Sequence, residues 1–293
     1  MASWDDMRVF LAVARAESLS RAAPTLRMDA ATVGRRIARL EAGLGAALFV
    51  KSPQGYALTD LGLRMRDHAA EAEASLTQAI EEAQGDQAGL TGQIRIGAPD
   101  GAANYLLPQV CAAIAAENPG LEIQVLALPR VVNLSKREAD MAITVSRPQA
   151  GRLTVQRVSD YRLHLAAPIN ETIETMDDLK GHRVVGYIPD MIFDKELDYL
   201  GELGANGVQV ASKSVAVQVM ALRSGAGVGI MHDFALPFAP ELKRVLVDEV
   251  SLTRSFYLVR HASDRSSDRL NRFAAALNHG LKAEISRLER LVA

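Results

Sequence analysis

Thr32, Arg35, Arg36 and Arg39 fall on one side of a helical repeat, with Ala31 beside them and Asp29 just ahead. Side chains three and four apart on a helix are neighbours, so the guanidinium groups form one cationic ridge. Each is a planar fork of donors that stays charged and matches phosphate oxygens or a guanine edge bidentately. The chemistry on offer is recognition of an anionic, grooved partner, not the making of bonds. Arg21 and Lys51 extend the charge. Between Leu19 and Ser52 six basic residues (Arg21, Arg27, Arg35, Arg36, Arg39, Lys51) face two acids, Asp29 and Glu41. The whole chain of 293 residues has a formal charge of −2. Positive charge is therefore placed locally, and its hold on a polyanion should weaken steeply with salt.

Residue types that carry catalysis or hold metals do not assemble. There is no GxSxG elbow, no P-loop and no HExxH helix. His68, His164, His182, His232, His261 and His279 are scattered without ligand spacing. Cys111, the one cysteine, sits in the apolar run Leu106–Ala113 and is expected as a core thiol; an intrachain disulfide is impossible. Gly225-Ala226-Gly227-Val228-Gly229 follows a helical pattern and enters a strand. A dinucleotide fingerprint needs the order strand, glycines, helix, so the glycines read as a helix stop and a strand entry. No enzymatic activity, metal or cofactor is expected. Asp5 and Asp6 stand where a secretory signal would be basic, and no run reaches the ~18–20 apolar residues of a membrane span. A cytoplasmic protein without membrane contact is expected.

The elements that must position the cationic ridge can be read on either side of it. Trp4 to Ala16 is helical, with Met7, Phe10, Leu11, Val13 and Ala14 inward. Leu19, Ala22, Ala23 and Leu26 give a second helix one apolar face. Asp29 can cap a third, Asp29–Gly43, whose inner face is Val33, Ile37 and Leu40. Downstream, Ala47–Lys51 and Gly55–Thr59 are short extended runs joined by the turn signal Ser52-Pro53-Gln54-Gly55. Three helices and a two-stranded wing make a winged helix-turn-helix, whose third helix enters the major groove of double-stranded DNA.

This ordered set resembles the amino-terminal domain of LysR-type transcriptional regulators. The residues that carry the resemblance are Phe10, Ser18, Ser20-Arg21-Ala22-Ala23, Arg35-Arg36-Ile37-Ala38-Arg39-Leu40-Glu41, Leu44-Gly45, Leu48-Phe49 and Leu58-Thr59-Asp60-Leu61-Gly62. It implies a sequence-specific DNA-binding regulator, with Arg21, Asp29, Ala31, Thr32, Arg35, Arg36, Arg39 and Lys51 at or near DNA. Gly34, Ala31 and Lys51 depart from the frequent Ser, Pro and Arg of relatives, so base preference does not carry over. An alternative of another class is a solute-binding or protein-interaction module whose basic helix is incidental; removing residues 1–60 would separate the two.

From Thr59 to Gln84, Leu61, Met65, Ala69, Ala72, Leu76, Ile80 and Ala83 recur three or four residues apart. A seam of period near 3.5 predicts a linker helix that pairs with a second copy. Residues 85–92 read as a flexible joint. Strands at Gln93–Gly97, Leu121–Leu128 and Asp140–Ser146 then alternate with a helix around Ala103–Glu117, which predicts βαβ units and a largely parallel sheet. A strand near Tyr161–Ala166, a second set at Arg183–Ile188, Val208–Ala211 and Val228–Met231, a strand at Ser255–Arg260 and helices at Ser214–Ser224 and Asp268–Leu291 complete the pattern.

The expected fold is α+β overall: a winged helix-turn-helix (1–60), a linker helix and hinge (61–91) and an effector-binding domain (92–293). The resemblance, not the periodicity, implies that the last is two-lobed and α/β, like a periplasmic solute-binding protein. Its lobes would be about 92–167 with 262–293, and about 168–261, with crossings near Ala167-Pro168 and His261-Ala262. Ligands in open α/β sheets lie beyond the carboxyl ends of strands. That rule nominates Asp100, Gly101, Ala102, Ser146, Arg147, Tyr187 and His232, and Ser214 precedes a helix. Many relatives carry Ser or Thr where this chain has Asp100-Gly101, so a negatively charged effector is disfavoured here. The stretch Pro129–Ala139 is shorter than the family's usual segment. The partners implied are an operator duplex, a small-molecule effector, RNA polymerase, and further copies in a homodimer or homotetramer.

Overall fold

The computed structural model describes residues 3–52, 55–83, 89–127, 134, 138–149, 151–204 and 207–292. The chain forms two compact units, 1–87 with 263–268, and 88–262 with 269–293. Most of the segment 129–139, and 85–88 of the expected joint, lie outside the described residues.

In the first unit, α1 (Trp4–Ala16), α2 (Leu19–Leu26) and α3 (Ala30–Leu44) each begin on a polar cap that satisfies a free amide. The caps are Ser3, Ser18 and Asp29, whose side chains accept from the backbone N–H groups of Asp6, Arg21 and Thr32. The apolar faces meet in a core that includes Val9, Phe10, Val13, Ala22, Leu26, Val33, Ile37 and Leu40. The wing, β1 (Phe49–Ser52) antiparallel to β2 (Gly55–Leu58), is seated on this core by aromatic rings. Phe49 lies 5.3 Å from Phe10 and 5.7 Å from Tyr56. Glu41 Oε1 accepts from Leu48 N at 2.7 Å and Phe49 N at 3.1 Å, fastening the wing to the end of α3.

The linker helix α4 (Asp60–Ala83) departs from the expected seam. Ala69 is buried, and Leu61 and Met65 pack on the three-helix core, so the first half of the seam is consumed within its own domain. Arg15 of α1 pairs with Glu73 on the same side. Leu76 stays 47% exposed. The core takes these residues because α1 would otherwise leave apolar surface open to water.

The second unit is built on a seven-stranded mixed sheet of order β10–β6–β11–β5–β3–β4, with β9 also on β6. Its strands are β3 (Gly92–Ala98), β4 (Leu121–Ala127), β5 (Met141–Thr144), β6 (Leu153–Pro168), β9 (Gly229–His232), β10 (Leu242–Arg244) and β11 (Ser251–His261). Only the β3 pairings with β4 and β5 are parallel; β6 and β11 run antiparallel to each other and to their remaining partners. The expectation of a largely parallel sheet is corrected. β11 lies between β5 and β6 and runs opposite to both, which makes that side of the sheet antiparallel.

At 16 residues β6 is far longer than the expected Tyr161–Ala166. Its residues 153–164 pair with β11, while 163–168 pair with β9 and β10. One continuous strand thus serves two sets of partners. A small parallel pair, β7 (Val185–Gly186) with β8 (Val210–Ala211), stands beside β9, much shorter than the runs expected there.

Helices cover the sheet. The expected helix at Ala103–Glu117 is two, α5 (Asp100–Tyr105) and α6 (Leu107–Glu117). Pro108 explains the break, since its ring and missing N–H suit a first turn and not an interior. α7 (Val215–Arg223) is capped by Ser214, and α8 (Asp268–Arg290) buries Leu270, Phe273, Leu277, Leu281, Ile285 and Leu288. Leu90, in the expected flexible joint, is buried, and its N–H donates to Asn118 Oδ1 at 2.6 Å, so that end of the joint is anchored. Gly227, at φ +143°, lies so close to Arg183 O that a Cβ would approach it to 2.0 Å. The glycine run is thus a close strand entry.

Candidate DNA-facing helix and ligand cleft

The first turn of α3 is a connected polar network. Asp29 accepts from Thr32 N and Thr32 Oγ1, both at 2.8 Å, and Thr32 Oγ1 accepts from Arg35 Nη2 at 2.8 Å. The backbone and side-chain hydrogen bonds from Thr32 hold the Asp29 carboxyl below its ordinary pKa. Arg21, Asp29, Ala31 and Arg35 are exposed and Thr32 half-exposed, so this end of α3 presents donors outward.

Arg36 and Arg39 reach back to the start of α1, the Arg39 side chain remaining 63% exposed. Arg36 pairs with Asp5 and lies 3.6 Å from Asp6; Arg39 donates to both oxygens of Asp6, through Nε at 3.2 Å and through Nη2. Their charge is spent on the start of α1, and the Arg36 side chain is only 26% exposed. The hydrogen bond from Arg39 keeps the buried Asp6 carboxyl below its ordinary range, and that from Arg36 does the same for Asp5. Asp5 and Asp6 are the residues sequence reading missed. They signalled only an absent secretory leader, because their partners lie thirty residues on. The Lys51 side chain lies outside the described ones.

In the second unit, five of the eight nominated residues come together. Asp100, Gly101, Ala102, Tyr187 and His232 line a narrow cleft, its cavity volume only about 10 Å³, with Phe193, Lys213 and Phe256. Ser214 joins them through Asp100, whose Oδ2 accepts from Ser214 Oγ at 3.0 Å and from Ala216 N at 3.2 Å. A carboxylate of the chain itself thus sits on the amino end of α7, where the helix dipole favours negative charge. Ser146 donates to Asp194, and Arg147 is exposed and not part of the lining.

His232 is 5% exposed and stacks on Tyr161 at 5.5 Å. Its Nδ1 is buried with no hydrogen-bond partner, and burial lowers its pKa to about 4. The ring is neutral at physiological pH. Phe193, Asp194 and Lys213 were not nominated because they lie in irregular segments that carry no periodic signal.

No group of three or more His, Cys, Asp or Glu residues among the described ones could hold a metal ion. Cys111 is half-buried, not fully buried as expected, and packs against the main core; burial pushes its thiol up to about 11. Among the described residues no helix is long and apolar enough to cross a membrane.

Comparison with known proteins agrees with this division of the chain. The family profile described as "Bacterial regulatory helix-turn-helix protein, lysR family" matches residues 4–63, and "LysR substrate binding domain" matches residues 87–282. The Mau operon transcriptional activator of Paracoccus denitrificans is 28% identical over 241 residues, covering 79% of this chain and 80% of that protein. The glycine cleavage system transcriptional activator of Escherichia coli is 26% identical over 280 residues, covering 91% and 90%. Among solved structures, a full-length OxyR variant from Pseudomonas aeruginosa superposes with a TM-score of 0.71 at 17% identity, covering 96% of this chain and 95% of that one. Full-length LysG from Corynebacterium glutamicum, with bound effector arginine, gives 0.63 at 17% identity, covering 98% and 99%.

Proposed function

The chain belongs to the LysR family of transcriptional regulators, with a helix-turn-helix DNA-binding domain and an effector-binding domain, and from that premise we propose how its residues divide the work. The amino end of α3 enters the major groove. Arg35 and Thr32 reach base edges, Ala31 offers a methyl to the groove, and Arg21 and Lys51 take phosphates on either side. Asp29 contacts DNA less than it sets the Thr32 and Arg35 rotamers. Arg36 and Arg39 hold α3 on α1 and turn to phosphate only by leaving Asp5 and Asp6.

The observation that carries this reading is the exposed Asp29–Thr32–Arg35 network, which pre-orders a guanidinium at a helix end facing solvent. Pre-ordering lowers the entropic cost of binding. Gel retention of promoter fragments by Arg21→Ala with Arg35→Ala tests it. Affinity should fall by at least about tenfold, and each lost phosphate contact should reduce the salt slope by about one. Unchanged retention by a folded double variant would assign the groove to another element.

The cleft around Asp100, Tyr187 and His232 is proposed as the effector site, with Ser146 and Ser214 as its polar rim; Arg147 takes no part. Effector binding there alters the disposition of the DNA-binding domains, and DNA occupancy must change effector affinity by the same factor. Oligomerisation runs through α4, where Leu76 is exposed, giving a dimer and, by contacts between sensing domains, a tetramer. The protein works in the cytoplasm beside RNA polymerase and catalyses no reaction. The peroxide named for Corynebacterium glutamicum OxyR is not carried over, because a lone thiol raised to about 11 holds little reactive thiolate.

A further inference from the structure

Beside the cleft the second unit holds a chamber of about 140 Å³. Its walls are apolar side chains, among them Val185, Ile192, Leu197, Leu203, Val208 and Ile230. Tyr187 and Leu197 line both chamber and cleft, so the two spaces adjoin. Two features set the chamber apart from a packing defect. Tyr199 lines it, 7% exposed, and its hydroxyl is buried with no hydrogen-bond partner. A buried donor left unpaired is costly, and a water needs two or more polar partners to settle. Of the other polar side chains on the wall, Gln218 Nε2 donates to Ser212 O at 2.7 Å, Asp198 lies exposed, and Tyr187 stands edge to face with Tyr199.

Charge on the wall is as telling as shape. Among the described lining residues Asp198 carries the charge, and it lies exposed. Burial keeps the Tyr199 hydroxyl protonated, with the Tyr161 and Tyr187 oxygens adding to the effect. A carboxylate drawn inside would lose its water and meet only the like charge of Asp198, and an ammonium would find that carboxylate only where the wall is exposed, so the interior disfavours a charged group. Toward the cleft, the amino end of α7 is already filled by Asp100. Tyr187 and Tyr199 stand edge to face at 6.0 Å, a geometry that accepts a further ring.

We propose that this chamber binds the body of an uncharged, mainly apolar ring compound that presents one hydrogen-bond acceptor to the Tyr199 hydroxyl. The inference rests on the reading of this domain as effector-binding and specifies the chemical class of effector and where its apolar part lies. Isothermal titration of the full-length chain tests it with three probes of one size: acetophenone, benzoate and benzylammonium. Acetophenone should bind with a dissociation constant on the order of 1 mM or tighter, as suits a nine-atom fragment. Both charged probes should bind at least about tenfold more weakly, since burying an unpaired charge opposes them. Tyr199→Phe, which removes only the hydroxyl, should weaken acetophenone about three- to tenfold, and Val208→Phe should fill the space and abolish binding.

Benzoate binding as tightly as acetophenone, no binding of acetophenone up to its solubility, or indifference to Tyr199→Phe would each overturn the proposal. Should Val208→Phe not fold, Tyr199→Phe still decides. Promoter retention by the same preparation keeps the two readings apart. A preparation that holds DNA and ignores acetophenone sinks the chamber and leaves the regulator; one that takes acetophenone and holds no DNA does the reverse.

Discussion

A neutral imidazole buried against Tyr161 and Phe234 makes His232 a pH-dependent weight on the fold. Burial sets its folded pKa at about 4, against 6.5 for the unperturbed ring. The native state therefore refuses a proton that the unfolded chain accepts. Stability is complete above about pH 6.5 and falls as pH drops toward 4, by on the order of 3 kcal/mol. Urea unfolding of the wild type between pH 7 and 4.5 should show this slope, and His232→Gln should flatten it. A slope that survives the substitution would locate the titration elsewhere. Asp5, Asp6 and Asp29 do not interfere, because their lowered pKa values place their loss of stabilisation below that window. Asp5 has a second consequence, since it competes with phosphate for Arg36. Asp5→Asn should tighten binding to random duplex at low salt by about two- to fivefold and steepen the salt slope by less than one. Equal binding would mean that Arg36 stays on α1 in the complex.

Elements join at points where space, not propensity, decides. α4 starts under the wing, where Thr59 Oγ1 accepts from Gly62 N at 2.9 Å and a Cβ on Gly62 would approach Leu48 O to 2.2 Å. Backbone cannot yield as a side chain does, so Gly62→Ala should destabilise the first unit by about 2–3 kcal/mol, despite the better helix propensity of Ala. A melting temperature at or above wild type would contradict this packing. The same contrast between local pattern and remote contact governs what the sequence reveals. Helices α1, α3 and α7 were readable from their capping residues and α8 from its apolar stripe, and the Gly225–Gly229 run because chain order excluded a nucleotide loop. The antiparallel run of β6 and β11 was not readable, since strand direction is fixed by partners 87 or more residues away. Five cleft residues could be nominated from strand ends, but Asp194, Phe193 and Tyr199 lie in segments whose position depends on the rest of the fold.

The whole molecule is a regulator with a DNA-binding domain and an effector-binding domain. Leu76, 47% exposed on α4, should support pairing between copies. Leu76→Glu in the full chain should shift the sedimenting species toward the monomer, and an unchanged distribution would move the interface off α4. The central claim is that the Asp29–Thr32–Arg35 end of α3 selects DNA sequence. The direct measurement is competition binding of the full-length protein to a promoter fragment against random duplex at about 0.15 M salt, the physiological range, for wild type and Arg35→Ala. The account predicts that wild type prefers the promoter fragment and that Arg35→Ala loses most of that preference while keeping much of its affinity for random duplex. A preference left intact in Arg35→Ala, or none in wild type, would contradict it.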